Sequence, residues 1–230
     1  MPKRLALELD PTPQGDGAVA AAAAQAHVIV VDDDASVRAA LSRLLGLQGH
    51  AVTTFHSAES FLARYDPHAC GCIILDVAMP GLNGLALQQA LEQRGNQMPI
   101  IFLTGQADVP MCAQAMKRGA FDFLTKPVDD MVLFATVASA LQRDAQLLSA
   151  MAQREATESR LATLTARERE VLDHVIAGRL NKQIAADLGT AEKTIKVHRA
   201  RGMEKMRVRS VAELVRIMER TRPQAPGLAD

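Results

Sequence analysis

Five residues of this 230-residue chain are of the types that handle phosphoryl groups, and each stands at the end of a short aliphatic run. Asp32 and Asp33 follow Val28–Val31, Asp76 follows Cys72–Leu75, Thr104 follows Pro99–Leu103, and Lys126 comes just after Phe121–Leu124. Three carboxylates drawn into one crevice repel one another. They are tolerable together around a divalent cation, and carboxylate, carbonyl and water oxygens are the ligands that Mg²⁺ prefers. A hydroxyl and an ammonium beside them complete a site suited to phosphoryl transfer, where positioning and charge neutralisation supply most of the catalysis. Taken singly, an Asp-Asp pair is an ordinary turn or cap, Thr104 a strand-end hydroxyl and Lys126 a solvated cation. The set, at successive strand ends, points to chemistry.

The elements that must position these residues are legible in the hydropathy pattern. Together with Ala51–Phe55, the four runs alternate with longer stretches of helical spacing, which predicts an α/β doubly wound five-stranded parallel sheet. In such sheets ligands gather at the carboxyl ends of the strands. Val132, Leu133, Val137, Leu141 and Leu148 keep helical spacing, so the last helix should continue past residue 145. The polar stretch Gln153–Arg160 reads as a solvated linker.

An all-α helix-turn-helix domain is expected next. Thr165 and Glu168 have capping-box spacing, Gly178 sits where that helix should end, and Asn181 is a candidate cap for a short helix through Asp187. Leu188-Gly189-Thr190 reads as a turn into a helix of about residues 191–206, and Val211–Glu219 as a fourth helix. On a helical wheel, Ile195, Gly202 and Met206 share one side of the third helix, with Lys193, Lys196, Val197, Ala200 and Arg201 on the other. A basic helix after a short helix and a tight turn is the arrangement whose second helix enters the major groove. The expected division is a disordered tail over 1–26, a first domain over 27–145, a helical or polar linker over 146–161, a second domain over 162–220 and a tail over 221–230.

A formal net charge of +0 conceals a segregation that matches this division. Residues 27–145 carry 8 Lys+Arg against 12 Asp+Glu, whereas residues 164–217 carry 12 against 7. One half suits a cation and the other a polyanion. With aromatic residues at 3% and no Trp, both cores must be aliphatic. Cys70, Cys72 and Cys112 are odd in number and lack metal or disulfide spacing, so reduced structural thiols are expected. No apolar run is long enough to cross a bilayer, and Glu8 and Asp10 interrupt any leader-like stretch, which predicts a cytoplasmic protein with no membrane partner.

Val30-Val31-Asp32-Asp33, Leu75-Asp76-Val77-Ala78-Met79-Pro80-Gly81, Thr104-Gly105-Gln106-Ala107-Asp108-Val109-Pro110-Met111 and Gly119-Ala120-Phe121-Asp122-Phe123-Leu124-Thr125-Lys126-Pro127 resemble two-component response-regulator receiver domains, which are flavodoxin-like, and their FixJ branch in particular. The resemblance implies that Asp76 accepts phosphate from a sensor histidine kinase. It also implies that Asp33, Asp32, Asp76 and the Ala78 carbonyl serve Mg²⁺, and that Lys126 pairs with the acyl phosphate. Thr104 and Phe123 would be the switch residues, re-shaping the face of the fourth helix and fifth strand. Ala78 departs from the pattern, since many relatives carry Arg there, which bears on phosphate lifetime.

Leu164-Thr165-Ala166-Arg167-Glu168-Arg169-Glu170-Val171-Leu172, Asn181-Lys182-Gln183-Ile184-Ala185 and Lys193-Thr194-Ile195-Lys196-Val197-His198-Arg199 resemble the LuxR-type DNA-binding domain. That implies groove contacts from Lys196, Val197 and Ala200, with Lys182, Thr194 and Arg199 at or near phosphate and Lys193 and Arg201 on the same basic face. Gly202 departs from the pattern, where relatives carry an aliphatic residue, so a packing deficit is expected, with either a less stable recognition helix or compensation by Met203 and Met206. The implied protein is a transcription regulator rather than an enzyme, whose receiver catalyses only its own phosphorylation and dephosphorylation. Its implied partners are a sensor kinase, DNA, RNA polymerase and, on activation, a second copy of itself. The rivals are a constitutive DNA-binding protein with a non-signalling receiver and a phosphotransfer intermediate.

Overall fold

The computed structural model describes residues 27–105 and 109–221, so the expected tail at 1–26 and that at 221–230, apart from Thr221, which ends a helix, lie outside the described residues. The chain forms two compact units, one ending at Leu147 and the other beginning at Leu148.

In the first unit β1 (His27–Val31), β2 (Ala51–Phe55), β3 (Cys72–Leu75), β4 (Ile100–Thr104) and β5 (Asp122–Thr125) form one parallel sheet of order β2-β1-β3-β4-β5. The side-chain period of two sends alternate residues of each strand to opposite faces. Ile29, Val31, Ile73, Leu75, Ile100 and Phe102 enter one core with Phe61 of α2 (Ala58–Leu62), Leu87 and Leu91 of α3 (Gly84–Gln93), and Ala115 of α4 (Val109–Lys117). Val28, Val30, Cys72, Ile74, Ile101 and Leu103 enter the other with Leu41 and Leu45 of α1 (Ala35–Leu47) and Leu133, Val137 and Ala140 of α5 (Asp130–Ala162). Burial on both faces explains why β1, β3 and β4 read as continuous apolar runs, whereas the edge strands β2 and β5 are only partly buried. Two strands are displaced by one residue from expectation. Pro99 has no N–H for the ladder and precedes β4, so Thr104 closes that strand rather than following it.

The helix α5 runs unbroken through the stretch expected as linker, so Gln153–Arg160 is helical. In the second unit α6 (Ala166–Ile176), α7 (Asn181–Asp187), α8 (Glu192–Lys205) and α9 (Val211–Thr221) pack around Val171, Leu172, Val175, Ile184, Ile195, Met206 and Leu214. The capping box forms: Glu168 N–H donates to Thr165 Oγ1 at 3.2 Å and Thr165 N–H to Glu168 Oε2 at 2.9 Å. Asn181 is the first residue of α7 rather than its cap. The cap position is Leu180, whose N–H is taken by Gln183 Oε1 at 2.8 Å. The expected packing deficit at Gly202 is also corrected. A Cβ there would lie 3.0 Å from Leu172 Cγ and Cδ1, so Leu172 already fills the space and the glycine lets α8 close on α6.

Glu168 is covered by its immediate neighbours, yet hydrogen bonds govern its charge. The Lys205 ammonium at 2.6 Å and the Thr165 N–H hold its carboxyl down to about 2. A depressed carboxyl stabilises the fold above its ordinary range and loses that contribution as pH falls toward the folded value. Amide hydrogen exchange at Val171, Leu172 and Val175 in the intact protein should therefore be faster in Glu168→Gln at neutral pH. The difference from the parent should close as pH falls from about 4.5 toward about 2. A difference that persists unchanged across that window would show that the ion pair is not its source.

Candidate functional site

The strand order reverses direction between β1 and β3, and the crevice beyond such a switch point is where doubly wound sheets bind ligands. The register pairs Val31 with Leu75, so Asp32 and Asp76 emerge side by side. Asp32 is 2% exposed, Asp76 6% and Thr104 0%, while Asp33 is open to solvent. One carboxylate oxygen from each of Asp32, Asp33 and Asp76 lies within 4.8 Å of the others.

The buried carboxylates are not equally satisfied. Asp32 Oδ1 accepts the Asp34 N–H at 2.8 Å and Oδ2 accepts the Lys126 ammonium at 2.6 Å. Arg38 Nη1 donates to the Asp32 carbonyl at 2.8 Å, fixing the loop from behind. Lys126 comes no closer to Asp76 Oδ2 than 3.6 Å, and Asp76 Oδ1 is buried without a hydrogen-bond partner. Burial raises the Asp76 carboxyl above its ordinary range. The Lys126 charge opposes that rise, Asp32 adds to it, and the N–H groups of Ala78 and Val77 oppose it again. A buried anionic oxygen with spare lone pairs, beside two more carboxylates, is a donor set suited to a hard divalent cation.

Lys126 is anchored through the sheet, since its N–H donates to the Thr104 carbonyl at 2.8 Å. Phe123 is half-buried, its ring 5.9 Å from that of Phe102 and tilted 34° to it. Sequence reasoning missed Gly84. A Cβ at this position would lie 2.3 Å from the Asp76 carbonyl oxygen and 2.9 Å from Val77 Cα, so only glycine lets α3 start against the Asp76 loop. The signal available was Asn83, which caps α3 and puts Gly84 at its first position. The cysteines form no disulfide, and burial pushes the Cys72 thiol up to about 12.

In the second unit Lys182, Lys193, Thr194, Lys196, Ala200 and Arg201 are exposed, and Val197 is 43% exposed, while Ile195 and Gly202 face the core. Lys196 is held by Glu192 one turn earlier at 3.0 Å. Arg199 stands apart from its expected place on the surface. It is half-buried, and its Nη1 donates to Asn181 Oδ1 at 2.9 Å, tying α8 to α7.

Comparison with known proteins agrees with both halves of this geometry. Residues 28–138 match the family described as response regulator receiver domain, and residues 162–218 that described as bacterial regulatory proteins, luxR family. Nodulation protein W of Bradyrhizobium diazoefficiens is 42% identical over 206 residues, covering 90% of this chain and 91% of that protein. The transcriptional regulatory protein FixJ of Azorhizobium caulinodans is 45% identical over 190 residues, covering 83% and 90%. The chain belongs to the DNA-binding response regulators. Among solved structures, the response regulator StyR superposes with a TM-score of 0.79 at 43% identity, covering 85% of this chain and 99% of that one. Full-length FixJ from B. japonicum gives 0.55 at 40%, covering 85% and 97%. No helix among the described residues of this response regulator is long and apolar enough to cross a membrane.

Because the regulator buries the Asp76 carboxylate with one oxygen unpartnered, removal of that charge should stabilise the receiver. At neutral pH without divalent cations, Asp76→Asn is expected to melt above the parent protein, by an amount equivalent to about 1–3 kcal/mol. Mg²⁺ should raise the melting temperature of the parent more than that of the variant. Thermal unfolding of the intact protein checks both. A variant that melts at or below the parent temperature in metal-free buffer would count against the electrostatic reading.

Proposed function

We propose that Asp76 is the phosphoacceptor of this response regulator, and that its phosphorylation by a sensor histidine kinase controls DNA binding by the LuxR-type domain. The observation that carries the reading is the buried Asp76 Oδ1 without a partner, inside a cluster that already contains a cation and two further carboxylates. In the transfer, a carboxylate oxygen of Asp76 forms the new O–P bond while the N–P bond to the kinase histidine breaks. The imidazole departs as the leaving group. Mg²⁺, when bound, neutralises charge on the transferring group, and Asp32, Asp33, Asp76 and the Ala78 carbonyl are the groups suited to hold it.

Lys126 already reaches both buried carboxylates, so a small movement would bring its ammonium onto a phosphoryl oxygen at Asp76. Thr104, at the neighbouring strand end, would supply its hydroxyl to a second phosphoryl oxygen. These shifts would let Phe123 move against Phe102 and so re-shape the surface of α4 and β5. Val109, 83% exposed, and Met116 stand out on α4, which favours that surface for association of two receivers. Dimerisation would join two helix-turn-helix domains to two half-sites and convert one weak contact into two linked ones. On DNA, Lys196, Val197 and Ala200 would read base edges. Lys182, Lys193, Thr194 and Arg201 would hold phosphates, and Arg199 would set the approach of α8 through Asn181. Such a cytoplasmic regulator would act on transcription through RNA polymerase.

Acetyl phosphate should label the protein only with Mg²⁺ present, and Asp76→Asn should abolish the labelling. Undiminished labelling of that variant would move the acceptor elsewhere. On a specific operator Lys196→Ala should cost about 1–3 kcal/mol and much less on random DNA, whereas Lys182→Ala should weaken both alike and flatten the salt dependence. Titrations at several salt concentrations separate the two roles, and a Lys196→Ala protein that binds its operator at parental strength would rule out base reading by that side chain.

A further inference from the structure

Six helices among the described residues are left through a residue with positive φ, and five of those residues are glycine. Gly49, Gly95, Gly119, Gly178 and Gly189 follow α1, α3, α4, α6 and α7, with φ between 59° and 85°. The sixth is Arg207, which follows α8 at φ 56° and is the one non-glycine residue with positive φ among the described residues. The turn around it is fully formed. Arg207 N–H donates to the Glu204 carbonyl at 2.9 Å and Val208 N–H to the Met203 carbonyl at 3.1 Å. Val208, 7% exposed, packs in the same apolar cluster as Met203. The backbone bonds and Val208 therefore require a left-handed residue at 207, and glycine adopts that conformation without the Cβ clash that an arginine brings.

The arginine side chain has no use inside the fold. It is exposed and makes no hydrogen bond or ion pair among the described residues. A cation near a helix C-terminus suits the macrodipole. Lys205 already fills that place on α8, bonded to the Thr163 carbonyl at 3.0 Å and to Glu168 at 2.6 Å. Arg207 stands eleven residues beyond Lys196, which is about 16 Å along a helix axis. That exceeds the roughly 12 Å width of a major groove, so with Lys196 at base edges this end of α8 reaches the phosphates that border the groove. Ala200, on the face assigned to the groove, lies seven positions back, and two turns return the chain to within about 20° of the same side. A guanidinium is the donor fork that matches a phosphate there.

We propose that Arg207 is a phosphate-binding residue of the DNA interface, carried at the end of α8 on a turn whose conformation disfavours it. The proposal rests on the placement of Lys196 in the groove. It gives Arg207 a sequence-independent share of the affinity, driven by release of a counterion from the phosphate it meets.

The test titrates the intact protein, at several salt concentrations, with a random-sequence DNA duplex and with a duplex selected by binding to the parent protein. Arg207→Gly should bind both duplexes roughly three- to tenfold more weakly at about 0.1 M salt, and should reduce the slope of log K against log salt by about 0.9 for each bound chain. The same variant should slow amide hydrogen exchange at Leu172 and Ile195, because glycine relieves the strained turn. Weaker DNA binding by a more stable domain is a result that a purely structural role for Arg207 does not give. Arg207→Lys should keep most of the binding, since an ammonium also neutralises a phosphate. Parental affinity and salt slope in Arg207→Gly, a loss confined to the selected duplex, faster exchange at Leu172 and Ile195, or an Arg207→Lys protein as weak as Arg207→Gly would each overturn the proposal. Lys196→Ala on the same two duplexes tests the groove placement separately, because its loss should fall mainly on the selected one.

Discussion

Two buried carboxylates on adjacent strand ends repel each other, and a single ammonium, brought from the far side of the sheet, keeps them together. Asp32 and Asp76 belong to β1 and β3, while Lys126 follows β5, yet its Nζ lies 2.6 Å from Asp32 and 3.6 Å from Asp76. The parallel register puts the aspartates side by side, and the bond from Lys126 N–H to the Thr104 carbonyl holds the lysine at the height of the pocket. The two aspartates differ in how they are satisfied. Asp32 has a partner for each oxygen and acts as a fixed anchor, whereas Asp76 retains an oxygen with none. Sites held in an unsatisfied state by a rigid surround are poised for a ligand or a reaction.

The two units distribute charge in opposite ways. The receiver draws its polar groups inward at the strand ends, where low local dielectric makes each charge count. The helix-turn-helix unit keeps an aliphatic centre of Val171, Leu172, Ile184, Ile195 and Met206 and turns its basic side chains outward, where they remain solvated until a polyanion displaces water and counterions. Among the described residues, the ion pair of buried Glu168 with half-buried Lys205 joins the capping box of α6 and fastens the start of that helix to the end of α8. The basic face of α8 is thus carried by a helix secured at its C-terminal end as well as by its apolar stripe.

Much of the fold was legible before any coordinates because burial leaves a periodic signature. Strands covered on both faces must be apolar at nearly every position, so β1, β3 and β4 stood out, and α6 announced itself through Thr165 and Glu168 at capping-box spacing. The wheel of α8 put Ile195, Gly202 and Met206 inward, and all three are buried. Other features left no periodic trace. Gly84 matters because the backbone of the Asp76 loop passes within 2.3 Å of where its Cβ would be, and a sequence does not record such distances. The space at Gly202 is filled by Leu172, which is thirty positions away.

The sequence by itself determined the alternation of strands and helices, the split between an acidic and a basic half, and the residue types at each strand end. These are properties of local composition and period, which burial and backbone geometry impose residue by residue. Tertiary structure decided which polar group meets which. Lys126 could have paired equally with any of three aspartates and is bonded to Asp32; Arg199 could have remained in solvent and is held by Asn181; Gln88 could have satisfied its whole amide and leaves one oxygen bare. Hydrogen bonds and ion pairs act over a few ångströms between groups far apart in the chain, so only the folded chain selects among partners of equal chemical merit.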